Sequence, residues 1–179
     1  MEVIILKKLL VVIDMQTDFI DGVLGTKEAC AILPNVKKKI EIYQKNKDSV
    51  IFTKDTHHSN YLDTQEGKNL PVSHCIEGSA GWNIHPELSS FTKNSPCFCK
   101  PSFGSIDLAT YIKEQAFDEI ELIGVCTDIC VISNAILIKA FAPESHIIVD
   151  ASCCAGVTPK SHSTALEAMK MCQITIVNE

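Results

Sequence analysis

Cys130 is the residue whose surroundings in the sequence most favour chemistry. It closes the segment Gly124-Val-Cys-Thr-Asp-Ile-Cys130, after the apolar run Ile120-Glu-Leu-Ile123 and at the start of an apolar helical stretch, Ile129 to Phe141. Thr127 or Asp128 is suited to cap that helix, which sets Cys130 in its first turn. Backbone N–H groups there lack partners and the helix dipole is positive, so a thiolate is favoured and its pKa lowered. N–H groups near Cys126 and Cys130 are then natural donors to a developing oxyanion. The other cysteines, among nine in all, fit the ordinary reading of a small buried hydrophobe, and no Cys-x-x-Cys pair suggests structural zinc.

A thiol nucleophile needs a base. Asp14 follows the apolar run Leu9-Leu-Val-Val-Ile13, and Lys100 follows the weaker run Pro96-Cys-Phe-Cys99. Alone, Asp14 reads equally well as a turn cap, and Lys100, before Pro101, as a solvated loop charge. With Cys130 they make a nucleophile, a base and a cation able to hold both in register. A further set lies after Ser49-Val-Ile-Phe-Thr53: Asp55-x-His57, with His74 farther on in Pro71-Val-Ser-His-Cys75. One carboxylate and two imidazoles suit zinc, iron or manganese. His58 and Asp63 read as bystanders. Gly22-x-x-Gly25 and Gly78-x-x-Gly81 match no phosphate-loop pattern.

Such residues work only if the scaffold gathers them. Apolar runs at 9–13, 49–53, 96–99, 120–123, 146–149 and 174–177 read as strands. Helical spacing appears over 37–47 (with Val36, Ile40 and Tyr43) after Pro34, a first-turn residue. It recurs over 106–117, with Leu108, Ile112 and Ala116 sharing a face, and over 129–141. It appears last over 159–172, with Leu166 and Met169 inward. Strands apolar throughout and alternating with helices imply a parallel sheet covered on both faces. The expected fold is α/β, a three-layer αβα, Rossmann-like, doubly wound and mostly parallel sheet of about six strands. Ligands in such sheets bind outside the carboxyl ends of the strands, where Asp14, Asp55, Lys100 and Cys130 all fall. No repeat or linker divides the chain, so one domain over 1–179 is expected.

Composition narrows the partners. A net charge of −6 offers no basic face for nucleic acid, which leaves a small-molecule substrate as the expected partner. Met1 to Ile13 is apolar, but Lys7 and Lys8 interrupt it and Asp14 follows, so it reads as a buried strand rather than a signal peptide. No stretch approaches the ~20 apolar residues of a membrane helix. No membrane association and a cytoplasmic location are expected.

The chain resembles the isochorismatase-like cysteine hydrolases and, within them, is similar to the nicotinamidases (pyrazinamidases). The resemblance rests on Ile13-Asp-Met-Gln-x-Asp-Phe19, Asp55-x-His57, Pro71-Val-Ser-His-Cys-Ile-Glu-Gly-Ser-x-Gly81, Lys100-Pro-x-Phe-Gly and Gly124-Val-Cys-Thr-Asp-Ile-Cys-Val131. It implies a catalytic triad of Asp14, Lys100 and Cys130, with oxyanion donors at the backbone of Cys126 and Cys130. It also implies a divalent metal, zinc first and iron or manganese next, on Asp55, His57 and His74, with Glu66 as a further ligand in one branch. A cis peptide bond before Cys126 and Phe19 against the substrate ring follow from the same likeness, as does a homo-oligomer, dimer or tetramer. Two departures stand out. Leu70 occupies a position where an aromatic residue commonly stacks on the substrate, leaving Trp82 or Phe103 to do so. Cys126 replaces a common alanine, which puts a second thiol beside the nucleophile and opens the way to a disulfide.

The reaction so implied is hydrolysis of nicotinamide through a cysteine thioester. Another amidase of the superfamily, acting on a carbamoyl or ureido acid, is the nearest alternative, although those branches commonly lack the metal set. Isochorismate hydrolysis does not need the cysteine. A non-catalytic ligand-binding domain of the same fold is the alternative of a different class.

Overall fold

The computed structural model describes residues 6–179. Strands β1 (Lys8–Ile13), β2 (Ser49–Asp55), β3 (Cys97–Lys100), β4 (Glu119–Val125), β5 (His146–Ala155) and β6 (Thr175–Val177) form one sheet in the order β3-β2-β1-β4-β5-β6. Every neighbouring pair is parallel. The chain builds outward from β1 through β2 to β3, then returns to lay β4 on the other side of β1. The order therefore reverses between β1 and β4, and at such a switch point the strand ends open a crevice. The expected doubly wound α/β sheet is what the chain forms. Of the strand expected from Met1 to Ile13, Lys8–Ile13 is β1, and Met1–Ile5 lie outside the described residues.

Because side chains alternate along a strand, β1 feeds two cores. Leu9, Val11 and Ile13 pack with Leu108, Ile138 and Met169 on one face of the sheet. Leu10 and Val12 pack with Val36, Ile40 and Leu88 on the other. Helices α5 (Ile106–Gln115), α6 (Ile132–Phe141) and α7 (Pro159–Met171) cover the first face, and α2 (Lys27–Asn46) with the short α4 (Pro86–Ser89) the second. Where β1 and β4 end together, Ile13 stands opposite Gly124. Gly124 has φ +120, and a Cβ there would collide with the Ile13 carbonyl, so only glycine admits the close approach.

Several boundaries differ from the sequence reading. Helix α2 begins at Lys27, capped by Thr26, whose hydroxyl accepts the Ala29 N–H at 3.0 Å. Pro34 therefore lies inside the helix rather than in its first turn, tolerated because burial of Ile32, Leu33 and Val36 holds the flanking turns. Ala116 is not on the buried face of α5: it is the left-handed cap (φ 51), and Phe117 beyond it is buried. Strand β5 runs well past Val149, through Ser152 and the buried pair Cys153 and Cys154.

The continuation of β5 rests on Asp150. Lys39 of α2 reaches across the second face to Asp150 at 2.8 Å and Glu121 at 2.7 Å, and the Tyr43 hydroxyl donates to Glu121 at 2.7 Å. Ser152 donates to Asp150 through its N–H and its hydroxyl. Burial alone would raise the Asp150 pKa, but hydrogen bonds from Lys39 and Ser152 hold it below its ordinary value. A carboxyl whose folded pKa lies below its unfolded one stabilises the fold above roughly pH 4, and that contribution is lost as pH falls through the folded value. Asp150→Asn is expected to lower stability at pH 7 by about 2 kcal/mol and to flatten the acid limb of the stability curve below roughly pH 4. Urea denaturation at stepped pH measures both, and an acid limb identical to wild type would refute the assignment.

Candidate active site

Four adjacent strands deliver one functional group each to the same crevice. Asp14 follows β1 with φ 47, a turn that directs its carboxylate inward, and its Oδ1 accepts from the Thr53 hydroxyl at 2.6 Å. Asp55 ends β2, Lys100 ends β3, and Cys130 lies beyond β4. The Lys100 Nζ lies 2.6 Å from Asp14 Oδ2, 3.3 Å from Asp55 Oδ1 and 3.4 Å from Cys130 Sγ, and it donates to the Ser102 carbonyl at 3.1 Å. Asp14, Lys100 and Cys130 are all buried. The three groups singled out from strand ends thus meet.

The nucleophile turn differs from the expected capped helix. Thr127–Val131 is a single wide turn leading into α6, and neither Thr127 nor Asp128 caps it. The Cys126 carbonyl accepts from Ile129 and Val131, and the Val125–Cys126 peptide bond is cis. The sequence reading of a lowered thiol pKa is corrected as well. Burial pushes the Cys130 thiol well up, and the neighbouring Asp14 charge adds to this, outweighing Lys100. Burial likewise raises Asp14 despite the Lys100 charge. At rest the sulfur is a thiol beside a carboxyl whose own proton affinity burial enhances. Burial raises Cys126 to about 12.

Beside Asp55 lies a second constellation. His57 Nε2 is 2.9 Å from Asp55 Oδ2 and 3.5 Å from Glu66 Oε1, and His74 Nε2 is 3.4 Å and 3.9 Å from the same two oxygens. One ligand atom from each residue lies within 4.8 Å of all the others. His74 Nδ1 donates to the Val72 carbonyl at 2.8 Å, which leaves its Nε2 lone pair facing the carboxylates. His57 Nε2 is buried without a hydrogen-bond partner. Burial would raise the Asp55 pKa, but both histidines and Lys100 hold it well below the usual carboxylate range. Two anionic oxygens and two imidazole nitrogens, one of them orphaned, fit a divalent transition metal.

Helix α3 (Gln65–Asn69) supplies Glu66, its N-terminus capped by the Thr64 hydroxyl accepting from Gly67 at 3.0 Å. The loop carrying His74 is pinned by Asp18, whose Oδ2 accepts the Cys75 N–H at 2.8 Å. Buried Gln16 donates to the carbonyls of Asp55 and Trp82 and accepts the Asp55 N–H at 2.7 Å, stitching the end of β1 to that of β2.

A cavity of about 240 Å³ opens onto both constellations, lined by Phe19, Leu70, Phe103, Asp55, Glu66, His74, Cys126 and Cys130. It is at the small end of the roughly 300–1,000 Å³ of ligand pockets, so it fits one small ring. Leu24, Thr26, Ile129 and Val157 complete the lining, and the sequence carries no signal for them because they come from three separate segments with no shared motif. Trp82 does not line the cavity. Its indole donates to the Thr56 hydroxyl at 2.9 Å and its ring lies under the Lys54 ammonium, whereas Phe19 and Phe103 both line the cavity. His58 and Asp63 stand outside it, as expected.

Six parallel strands with reactive side chains massed at the switch point define a doubly wound α/β domain with its candidate site at the carboxyl ends of the strands. The chain belongs to the isochorismatase family: the model of the isochorismatase domain matches residues 8–179. It is 24% identical to the nicotinamidase/pyrazinamidase of Mycobacterium tuberculosis, over 94% of this chain and 97% of that protein. Its structure is similar to the pyrazinamidase/nicotinamidase of Streptococcus mutans UA159, with a TM-score of 0.85 and 28% identity, covering 95% of this chain and 99% of that one. The same fold recurs in the pyrazinamidase of Pyrococcus horikoshii in complex with zinc, at TM-score 0.85 and 23% identity over 97% and 99% of the two chains.

One buried residue absent from the sequence reading joins the halves of the site. Asn134 of α6 donates to the carbonyls of Cys130 (2.8 Å) and Phe103 (2.9 Å) and accepts the Ser105 N–H (3.0 Å). It ties the loop after Lys100 to the nucleophile turn. Asn134→Leu leaves these buried groups unpaired, and a loss of about 3 kcal/mol is expected at roughly 1–3 kcal/mol per orphaned group. Equilibrium denaturation reads it; a loss under about 0.5 kcal/mol, the range of ordinary surface changes, would contradict this role.

Proposed function

We propose that the chain hydrolyses nicotinamide to nicotinate and ammonia through a thioester on Cys130. The observation that carries this reading is the buried Lys100 ammonium lying between Asp14 at 2.6 Å and Cys130 Sγ at 3.4 Å, behind the sulfur that lines a small, mostly apolar cavity. The names of the relatives support the substrate. The lining contains no arginine or lysine, which favours a neutral ring amide over a carbamoyl or ureido acid.

In the proposed sequence Asp14 takes the proton of the Cys130 thiol as the sulfur attacks the amide carbon. The oxygen that gains charge is met by backbone N–H groups of Cys126 and Cys130. Collapse breaks the carbon–nitrogen bond, and Asp14 returns its proton to the departing ammonia. Asp14 then takes a proton from water, whose oxygen attacks the thioester; nicotinate leaves and Cys130 recovers the proton. Lys100 keeps Asp14 and the sulfur in register and offsets negative charge on either. Phe19 and Phe103 hold the ring, with Leu70 at the rim. Asp55, His57, Glu66 and His74 would hold a divalent metal, zinc first and iron or manganese next, supplying a Lewis acid for a pyridine nitrogen. We further propose one domain over 1–179 acting in the cytoplasm as a homo-oligomer. The nine unpaired thiols favour a reducing compartment, and no described helix is long and apolar enough to cross a membrane.

Cys130→Ala is expected to lower ammonia release from nicotinamide by at least about 10³-fold, while Tm stays near wild type; retained release would remove the nucleophile assignment. Dialysis against a chelator is expected to abolish turnover, with recovery on adding zinc. His74→Ala removes a direct ligand and should weaken zinc binding, measured by calorimetry, by more than the roughly 10–100-fold that loss of a group behind a ligand costs. Full activity in metal-free protein would favour the carbamoyl-type alternative.

A further inference from the structure

The nucleophile turn is also held by side chains that do not line the cavity. Thr127 is fully buried, and its hydroxyl shares a 2.8 Å hydrogen bond with Nδ1 of His162 at the start of α7. Asp128 accepts the Val157 N–H on both carboxylate oxygens, at 3.1 and 3.2 Å. Two consecutive side chains of the turn are thus fastened, one to the first turn of α7 and the other to the connection that leads into it from β5. That segment is itself firm. Thr158 caps α7, its hydroxyl accepting the Ser161 N–H at 3.0 Å while the Ser161 hydroxyl reaches back to Thr158. A Cβ at Gly156 would come within 2.9 Å of the His162 backbone N and Cβ, so the chain passes close against the start of that side chain. Burial holds the His162 pKa below its ordinary value, which keeps the ring neutral at pH 7.

We propose that His162 is a positioning residue: through Thr127 it fixes the turn that presents the Cys126 N–H and the Cys130 sulfur to the carbonyl under attack. This rests on the hydrolytic reading above. A turn wound more widely than an α-helix has a looser backbone ladder, so its placement depends on anchors from outside. Without His162 the buried Thr127 hydroxyl loses its partner and the turn relaxes toward another acceptor. Displacements near 1 Å at a reacting centre reduce rate by about 10²-fold.

The test compares His162→Ala, His162→Asn, His162→Gln and Thr127→Val by ammonia release from nicotinamide. His162→Ala is expected to lower kcat roughly 10–100-fold with KM nearly unchanged. His162→Asn, whose amide reaches the place of Nδ1, is expected to restore most of it; His162→Gln, which reaches the place of Nε2, is not. His162→Ala combined with Thr127→Val should lose no more than either alone. A parallel readout is affinity for pyridine-3-carbaldehyde, to which the Cys130 S–H adds across the C=O, forming a C–S bond and leaving the oxygen at the oxyanion position. His162→Ala should weaken that adduct by a comparable factor. Equal losses for Asn and Gln that follow Tm, additive effects of the pair, or an unchanged adduct would overturn the proposal. If wild type binds the aldehyde in a His162-dependent way yet releases no ammonia from nicotinamide, the substrate reading fails and the positioning role stands.

Discussion

The interaction on which the rest of the site depends is the buried ammonium of Lys100. A lysine removed from water is costly unless paired, and here Asp14 and Asp55 both face it. Burial alone would lower its pKa, yet the Asp14 and Asp55 carboxylates beside it keep it raised, so the charge persists. Its charge opposes the effect of burial on both aspartates. Lys100 therefore determines the state of both constellations at once: Asp14 belongs to the thiol, Asp55 to the histidines. With Glu66 included, three carboxylates share one ammonium. That excess of negative charge, next to an orphaned imidazole nitrogen, is what makes a divalent cation a physically reasonable fourth party.

Such a cluster follows from topology. A doubly wound parallel sheet points all its strand ends one way, and β3, β2, β1 and β4 are neighbours. Residues far apart in sequence are then separated only by strand spacings of roughly 4.8 Å. Gly124 tightens the centre of this row, where β1 and β4 approach too closely for a side chain. The polar residues behind the row, Thr53, Gln16 and Asn134, use their hydrogen bonds to fix the direction of each chain as it leaves its strand. Their cost of burial is met because each is satisfied.

Most of this was legible because a buried parallel strand leaves a plain signal, an apolar run, and the residue after it is where ligands meet the sheet. Asp14, Asp55, Lys100 and Cys130 were found in that way. What failed to show had a physical reason in each case. Strand β5 was cut short because Asp150 and Ser152 look like a turn until Lys39 is seen to neutralise the carboxylate. The start of α2 was misplaced because Pro34 suits a first turn better than an interior, and only tertiary burial overrides that preference. The resemblance offers Trp82 as a stand-in for the aromatic absent at Leu70, whereas its direction is set by Gln16 holding its carbonyl and Thr56 its indole. His162 and Asn134 act through the fold and carry no local motif.

The thiol pKa is the most instructive disagreement. Sequence places Cys130 in a helix-opening turn, and a helix terminus contributes at most a few kcal/mol at favourable sites and less when its first turn is irregular. Burial beside a carboxylate acts in the opposite direction and wins, so Cys130 rests protonated. A permanently ionised thiolate would stand open to oxidation with Cys126 close by in sequence and in the same cavity. A neutral thiol avoids that exposure, and burial raises Cys126 in turn, leaving both sulfurs poor nucleophiles at rest. On the proposed reading the proton moves to Asp14 only as charge develops on the substrate. The same desolvation that silences the free thiol then strengthens every hydrogen bond and ion pair to the transition state. Resting inertness and reactivity toward a bound amide are two consequences of one buried charge arrangement.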